Sequence, residues 1–174
     1  MPAKDHAKDH VHVYLIRGVL NIFSSGLDEI AARLQREGIQ ASVHNHLAWP
    51  LVANEAAAEY KSGKARTIIL VGHSAGADAV VHIAAQLGQE GIPVKLVIGL
   101  DPVLSPPPAS GHVKHYINYY VSTSAGHRVV KSPQFRGNLR NVVVARPGIG
   151  HFNIDKAAVM EDKVMQHIHT ALIH

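Results

Sequence analysis

Gly72-His73-Ser74-Ala75-Gly76 sets a serine between two glycines, just after the apolar run Thr67–Val71 and just before the helix-forming stretch that begins at Ala75. A sharp strand-to-helix turn holds such a serine in a strained backbone conformation, and the glycines let strand and helix approach each other closely. The hydroxyl then stands at the tip of a sheet, above a helix N-terminus whose positive end favours a developing oxyanion. The chemistry is nucleophilic attack on an acyl carbon. The pentapeptide alone is equally a glycine-rich turn with a capping serine; the strand before it and the helix after it favour the nucleophile.

A serine hydroxyl needs a base. The histidines after Ser74 are His82, His112, His115, His127, His151, His167, His169 and His174. His151 is selected because it follows the last predicted strand, on a loop that carries Gly148 and Gly150 and leads into the final helix. Its glycines let the side chain reach the sheet tip. His82 falls mid-helix, His112, His115 and His127 in connections, and the others in the last helix or at the terminus. The expected chain order is serine, acid, histidine. Between Asp78 and His151 only Glu90 and Asp101 are acidic. Glu90 ends a helix on the side away from the strand tips, whereas Asp101 directly follows a strand. A buried carboxylate there would hold the imidazole in the working tautomer. Asp101-Pro102 also suits a turn opener, and the two roles are compatible. Asp155 is read as helix-start electrostatics for the last helix.

Two backbone N–H groups should meet the oxyanion. Ala75 supplies one, as the residue after the nucleophile. The loop after the first strand supplies the other, where Gly18 lets the chain bend toward the serine. Val19 is the selected donor and Leu20 its alternative. The loop is apolar at Val19, Leu20, Ile22 and Phe23. It reads either as a segment tucked into the core or as a substrate-facing wall in which Leu20 and Phe23 contact an acyl chain.

Strands are predicted over Val11–Ile16, Ile39–His44, Thr67–Ser74, Val94–Leu100, Tyr116–Ser122 and Asn141–Ala145. Helices are predicted after Ser24 or Ser25 as cap, then over 54–61, Ala75–Gln89 and 155–172, with Gly38 and Gly91–Pro93 as stops. Alternating strands and helices give an α/β three-layer sandwich with a mainly parallel sheet of about six strands. Sites in such sheets lie beyond the carboxyl ends of the strands. Residues 1–10 read as a polar tail and 11–174 as one domain.

Composition narrows the function classes. The 174 residues include no cysteine, which excludes a thiol nucleophile and thiolate metal sites. With 47% hydrophobic and 17% charged residues the chain can fill a core. No apolar run is long enough to span a membrane. No targeting segment is visible, which suits the cytoplasm; a signal peptide already removed would instead place the protein in the periplasm or outside the cell. Basic residues are scattered with no clustered groove, and aromatics are 5%, which argues against nucleic-acid binding. The 14 histidines invite a metal, and His44 and His46 share a strand face. Neither has an adjacent carboxylate or third histidine, so polar residues at a strand end are the favoured reading, and no metal or organic cofactor is expected. His73 is read as packing support. No signal points to a particular oligomeric state.

The motifs VYLIRG, GHSAG after an apolar strand, GLDP after the next, and GHF before the last helix resemble, in order over nearly all of residues 11–172, the α/β-hydrolase superfamily in its smallest form. The size resembles lidless bacterial lipases and cutinases, and the whole chain resembles small proteobacterial thioesterase-like proteins. Arg17-Gly18 resembles the oxyanion loop of cutinases. Asp101 comes one strand earlier than the usual acid, as in the GLDP segment of pancreatic-type lipases. The resemblance implies a serine hydrolase with Ser74, Asp101 and His151 as its triad. The expected function is hydrolysis of small carboxylic esters with short-to-medium acyl chains. Two alternatives are thioester hydrolysis by the same triad and a non-catalytic binding protein on the same scaffold.

Overall fold

The computed structural model describes residues 8–19, 24–122 and 127–174. Its elements run β1 (Val11–Arg17), α1 (Gly26–Arg36), β2 (Gln40–Asn45), α2 (Trp49–Ser62), β3 (Thr67–His73), α3 (Ala75–Gln89), β4 (Val94–Leu100), β5 (Ala109–Val121), β6 (Lys131–Val144) and α4 (Ala158–Ile173). The six strands form one sheet in the order β2-β1-β3-β4-β5-β6, with every neighbouring pair parallel.

Alternation along β1 explains the three layers. Val11, Val13 and Leu15 face one side and pack with Leu27, Ile30 and Leu34 of α1 and Val164 and Ile168 of α4. Tyr14 and Ile16 face the other side and pack with Val52 and Ala56 of α2 and Val80 and Ile83 of α3. Each fully buried Leu, Ile or Val contributes about 1.5–3 kcal/mol. The central strands are apolar on both faces because both are covered.

Three boundaries differ from the sequence reading. Helix α2 begins at Trp49, with Pro50 in its first turn, where a missing N–H is tolerated. Strands β5 and β6 are much longer than predicted, so His112 and His115 lie in β5 rather than in connections. Among the described residues, no helix joins these two parallel strands. Ahead of β6, His127 and Val129 are held by amide side chains of β5 and β6. Asn141 accepts from the Val129 N–H (2.8 Å) and donates to its carbonyl (2.9 Å), and Asn118 donates to the His127 carbonyl (2.9 Å). Val129 is buried in the core on the α2 and α3 side. The two asparagines thus supply hydrogen bonds that a crossover helix would have made internally.

Helix α3 meets the sheet at very short range. A Cβ on Gly72 would fall 2.1 Å from the Gly76 carbonyl oxygen, and one on Gly76 would fall 2.0 Å from that of Ile16. Both contacts are with backbone and cannot be relieved by a rotamer change. Gly76→Ala is expected to destabilise the fold by about 3 kcal/mol, read as a lower urea midpoint with an unchanged slope.

Candidate active site

The parallel register places the ends of β3 and β4 side by side, with His73 opposite Leu100. Ser74 and Asp101 are the next residues on each strand. The ladder continues into them: Ser74 N–H donates to the Leu100 carbonyl (2.9 Å), and Asp101 N–H donates to that of Tyr119 (2.7 Å). Both then turn sharply with positive φ, 61° at Ser74 and 58° at Asp101. A side chain with a Cβ resists that conformation, so both positions are strained. The Ser74 turn leads directly into the N-terminus of α3.

His151 arrives from the opposite direction, in the turns before α4. Gly148 has a φ of 84°, and Asn153 ties the loop together. Asn153 Oδ1 accepts from the Gly150 N–H (2.7 Å), and Asn153 Nδ2 donates to the Gly148 carbonyl (2.7 Å). The positive φ at Gly148 and the Asn153 side-chain clamp together set the reach of His151.

The three side chains form a hydrogen-bonded row. Ser74 Oγ lies 2.9 Å from His151 Nε2, and His151 Nδ1 lies 2.6 Å from Asp101 Oδ2. Asp101 is fully buried, and its other oxygen accepts from the Val121 N–H (2.8 Å). A carboxylate accepts only, so His151 Nδ1 carries a proton toward it. In the neutral ring the Nε2 lone pair then faces the serine hydroxyl. The chemistry open to this row is proton removal from Ser74 Oγ as it attacks an electrophile.

Gly18 packs directly over the serine: a Cβ there would fall 2.8 Å from Ser74 Cβ. Its N–H is occupied, donating to Ser24 Oγ (2.9 Å). Val19, the next residue, is exposed and lines a cavity of about 210 Å³ together with Gly18, Ser24, His73, Ser74, His151 and Phe152. Ala75 heads α3, where the first N–H groups lack intrahelical partners. The sequence-selected Leu20 and Phe23 lie outside the described residues. Phe152 was not selected from sequence, yet its ring meets the His151 ring edge-on at 5.1 Å.

His73 does more than fill space. The His151 main-chain carbonyl can only accept, so His73 Nε2–H donates to it (2.7 Å). His73 Nδ1 is then the acceptor of the Ser24 hydroxyl proton (2.8 Å), and Ser24 Oγ in turn accepts from Gly18. One buried imidazole thereby links the loop over the serine to the loop that carries His151. Burial holds its pKa below the usual histidine value against the pull of Asp155, whose nearest oxygen is 3.8 Å away, so the ring is neutral, as this bonding requires. Of the two expected caps, Ser25 takes the N-cap position of α1, without a side-chain bond, and Ser24 does not cap it. The Ser24 hydroxyl is committed to His73 instead, and the Gly26 N–H at the start of α1 is satisfied by Asp155 Oδ2 (2.9 Å). Asp155 therefore serves a helix start, but that of α1 rather than α4. Asp78, in the first turn of α3, accepts from the Val103 and Leu104 N–H groups (2.9 and 3.0 Å) and fixes the loop that follows Asp101.

The other histidines flagged by sequence lie elsewhere. His44 Nε2 is 2.7 Å from Ser42 Oγ, His82 stacks on Trp49, and His167 meets the Tyr119 hydroxyl at 2.7 Å. Among the described residues, no three His, Asp or Glu side chains are grouped to hold a metal ion, and no helix is long and apolar enough to cross a membrane.

No protein-family model matches the sequence, and no curated protein matches it. Solved structures do. YbtT, the type II thioesterase of the yersiniabactin NRPS/PKS biosynthetic pathway, superposes with a TM-score of 0.59 at 14% identity, covering 99% of this chain and 97% of its own. The product of the gene lin2722 from Listeria innocua gives 0.58 at 12% identity, over 92% and 94%. Est1E from Butyrivibrio proteoclasticus gives 0.57 at 11% identity, over 98% and 92%. The fold is that of the α/β hydrolases, in a minimal form.

Proposed function

We propose that the protein is a serine hydrolase of carboxylic esters with short-to-medium acyl groups. The observation that carries this reading is the row from Ser74 Oγ through His151 to Asp101, with links of 2.9 and 2.6 Å, at the carboxyl edge of a parallel sheet. Ser74 Oγ attacks the acyl carbon while His151 Nε2 takes its proton. Asp101 stabilises the imidazolium. The N–H groups of Val19 and Ala75 hold the oxyanion of the tetrahedral intermediate. Collapse breaks the acyl–oxygen bond, and His151 returns the proton to the departing alcohol. A water, deprotonated by His151, then cleaves the acyl-enzyme and frees the acid and Ser74. The cavity of about 210 Å³ beside Ser74 suits a small acyl group. No step needs a metal or organic cofactor.

A second reading, thioester hydrolysis, uses the same steps with a thiol as leaving group. It is favoured by the likeness to a type II thioesterase. A chain-length series of p-nitrophenyl esters, run beside the matching acyl-CoA series, separates the two by kcat/KM. Turnover of the esters, highest for short-to-medium chains, is the expected result. Absence of turnover, together with no labelling by a fluorophosphonate probe, would leave a non-catalytic binding protein.

The bridging role of His73 yields a further expectation. Phenylalanine retains most of the ring volume but supplies neither hydrogen bond. His73→Phe should lower kcat about a hundredfold, since small misplacements of reacting groups cost that much, while changing KM little. Labelling of Ser74 should be slowed but not lost. Unchanged kcat in a folded His73→Phe variant would reduce His73 to packing.

A further inference from the structure

The basic residues scattered in the sequence converge in the fold. Arg66 directly precedes β3, Lys95 is the second residue of β4, Lys114 lies in the first half of β5, and Arg136 comes from β6. Parallel strands bring these positions to one edge of the sheet, opposite the edge that holds Ser74 and Asp101. There the four cations line a cavity of about 410 Å³ whose apolar part includes Pro93 and Val94. An adjoining hollow shares Arg66 and Lys95 and adds Asp9 at its rim.

Three features set this cavity apart from an ordinary solvated surface. Among the described residues, no side-chain carboxylate forms an ion pair with any of the four cations; the basic residues that do pair are Arg17, Arg33, Arg36, Lys61 and histidines elsewhere. Arg136 donates to the main-chain carbonyls of Pro133 and Phe135, and Lys114 donates to a main-chain oxygen of His174, the last residue of the sequence. Lys95 and Lys114 line the same cavity, and burial together with the like charge of Lys114 lowers the pKa of Lys95. Two adjacent ammonium groups repel unless an anion lies between them.

We propose that this cavity binds a small organic diphosphate, its phosphates held by Arg66, Lys95, Lys114 and Arg136 and its organic part resting on Pro93 and Val94. Four cations offset the three negative charges of a fully ionised organic diphosphate. Arginine grips phosphate oxygens through paired N–H groups, and lysine acts as a point charge. The volume is that of a site for one small molecule. Concavity and the apolar floor favour such a ligand over a nucleic-acid strand, which needs an extended track with stacking aromatics. The strands between the two edges have seven residues in β3 and β4, which separates the cavity from Ser74 by about 20 Å. It is therefore a second site, independent of the hydrolase reading.

Isothermal titration with ADP and with inorganic pyrophosphate, at low ionic strength, tests the proposal on the full chain. One-to-one binding of ADP is expected, weakening as salt is added. Lys95→Glu and Arg136→Glu should each weaken it at least about tenfold, while Arg36→Glu, on α1, changes it little and controls for net charge. Ser74→Ala should bind as the wild type does. No saturable binding of either probe, or equal loss in Arg36→Glu and Lys95→Glu, would overturn the site. Tighter binding of a single-stranded oligonucleotide than of ADP would overturn the small-molecule assignment.

Discussion

Ser74→Ala is expected to abolish ester turnover, with kcat falling by about six orders of magnitude, and to abolish fluorophosphonate labelling, while the protein stays folded. The hydroxyl is the only group removed. Its partner in the folded protein is His151 Nε2 at 2.9 Å, on a half-buried side chain that water can reach, so its loss leaves no buried orphan. Alanine carries the same Cβ, and hence the same strain at a φ of 61°, so the turn into α3 should be kept at nearly constant stability. That strain is itself informative. Glycine would relieve it, and the close packing of Gly72 and Gly76 on either side would not object. A serine held at this φ costs stability of about 1–3 kcal/mol, a cost that the proposed role of its hydroxyl would account for. Labelling that persisted in Ser74→Ala would move the nucleophile elsewhere and overturn the reading. Lost labelling with retained thermal stability would separate chemistry from folding.

The parts of the site readable in sequence are those fixed by local geometry. Ser74 and Asp101 each sit one residue past an apolar strand. A parallel register places such positions together at one edge. Scarcity helped with Asp101, because so few acids follow the serine. What escaped the sequence were the remote contacts outside the row from Ser74 to Asp101. Ser24 looks like a helix cap, but its hydroxyl bonds His73, 49 residues away. Asp155 caps α1 across 129 residues. The basic cavity is illegible for the same reason, since Arg66, Lys95, Lys114 and Arg136 come from four strands or their edges.

The elements followed the same logic. The central strands announce themselves because both faces are covered and the sequence runs apolar. Strand β6 is an edge strand, largely exposed, with Pro133 near its start, so its first half reads as a polar connection. Nothing local marks His127 and Val129 before it, which are held by the side chains of Asn118 and Asn141. The abundance of histidine suggested metal because composition counts residues without their neighbours. His12 shows the difference: it is buried between Glu59, at 2.7 Å from Nδ1, and Ser42, at 2.7 Å from Nε2, and stacks on Tyr14.

Asp101→Asn is expected to lower kcat by about four orders of magnitude without unfolding the protein. Asparagine nearly matches the volume and tolerates the left-handed conformation better than most residues, so the φ of 58° should survive. The decisive point is the orientation of the amide. The Val121 N–H, 2.8 Å from Oδ1, needs an acceptor, and the amide oxygen must take that position or leave a buried donor unpaired. The NH₂ group then faces His151 Nδ1, where Asp101 Oδ2 now lies at 2.6 Å. Two donors cannot face each other, so His151 shifts to the tautomer protonated at Nε2. That nitrogen now points a proton, not a lone pair, at Ser74 Oγ, and the base is gone. The alanine variant would be a poorer test, because it leaves the Val121 N–H unpaired and mixes lost stability with lost chemistry. A folded Asp101→Asn variant with kcat within tenfold of wild type would deny Asp101 its role. Slow labelling that persists with unchanged thermal stability would place the defect in the tautomer of His151.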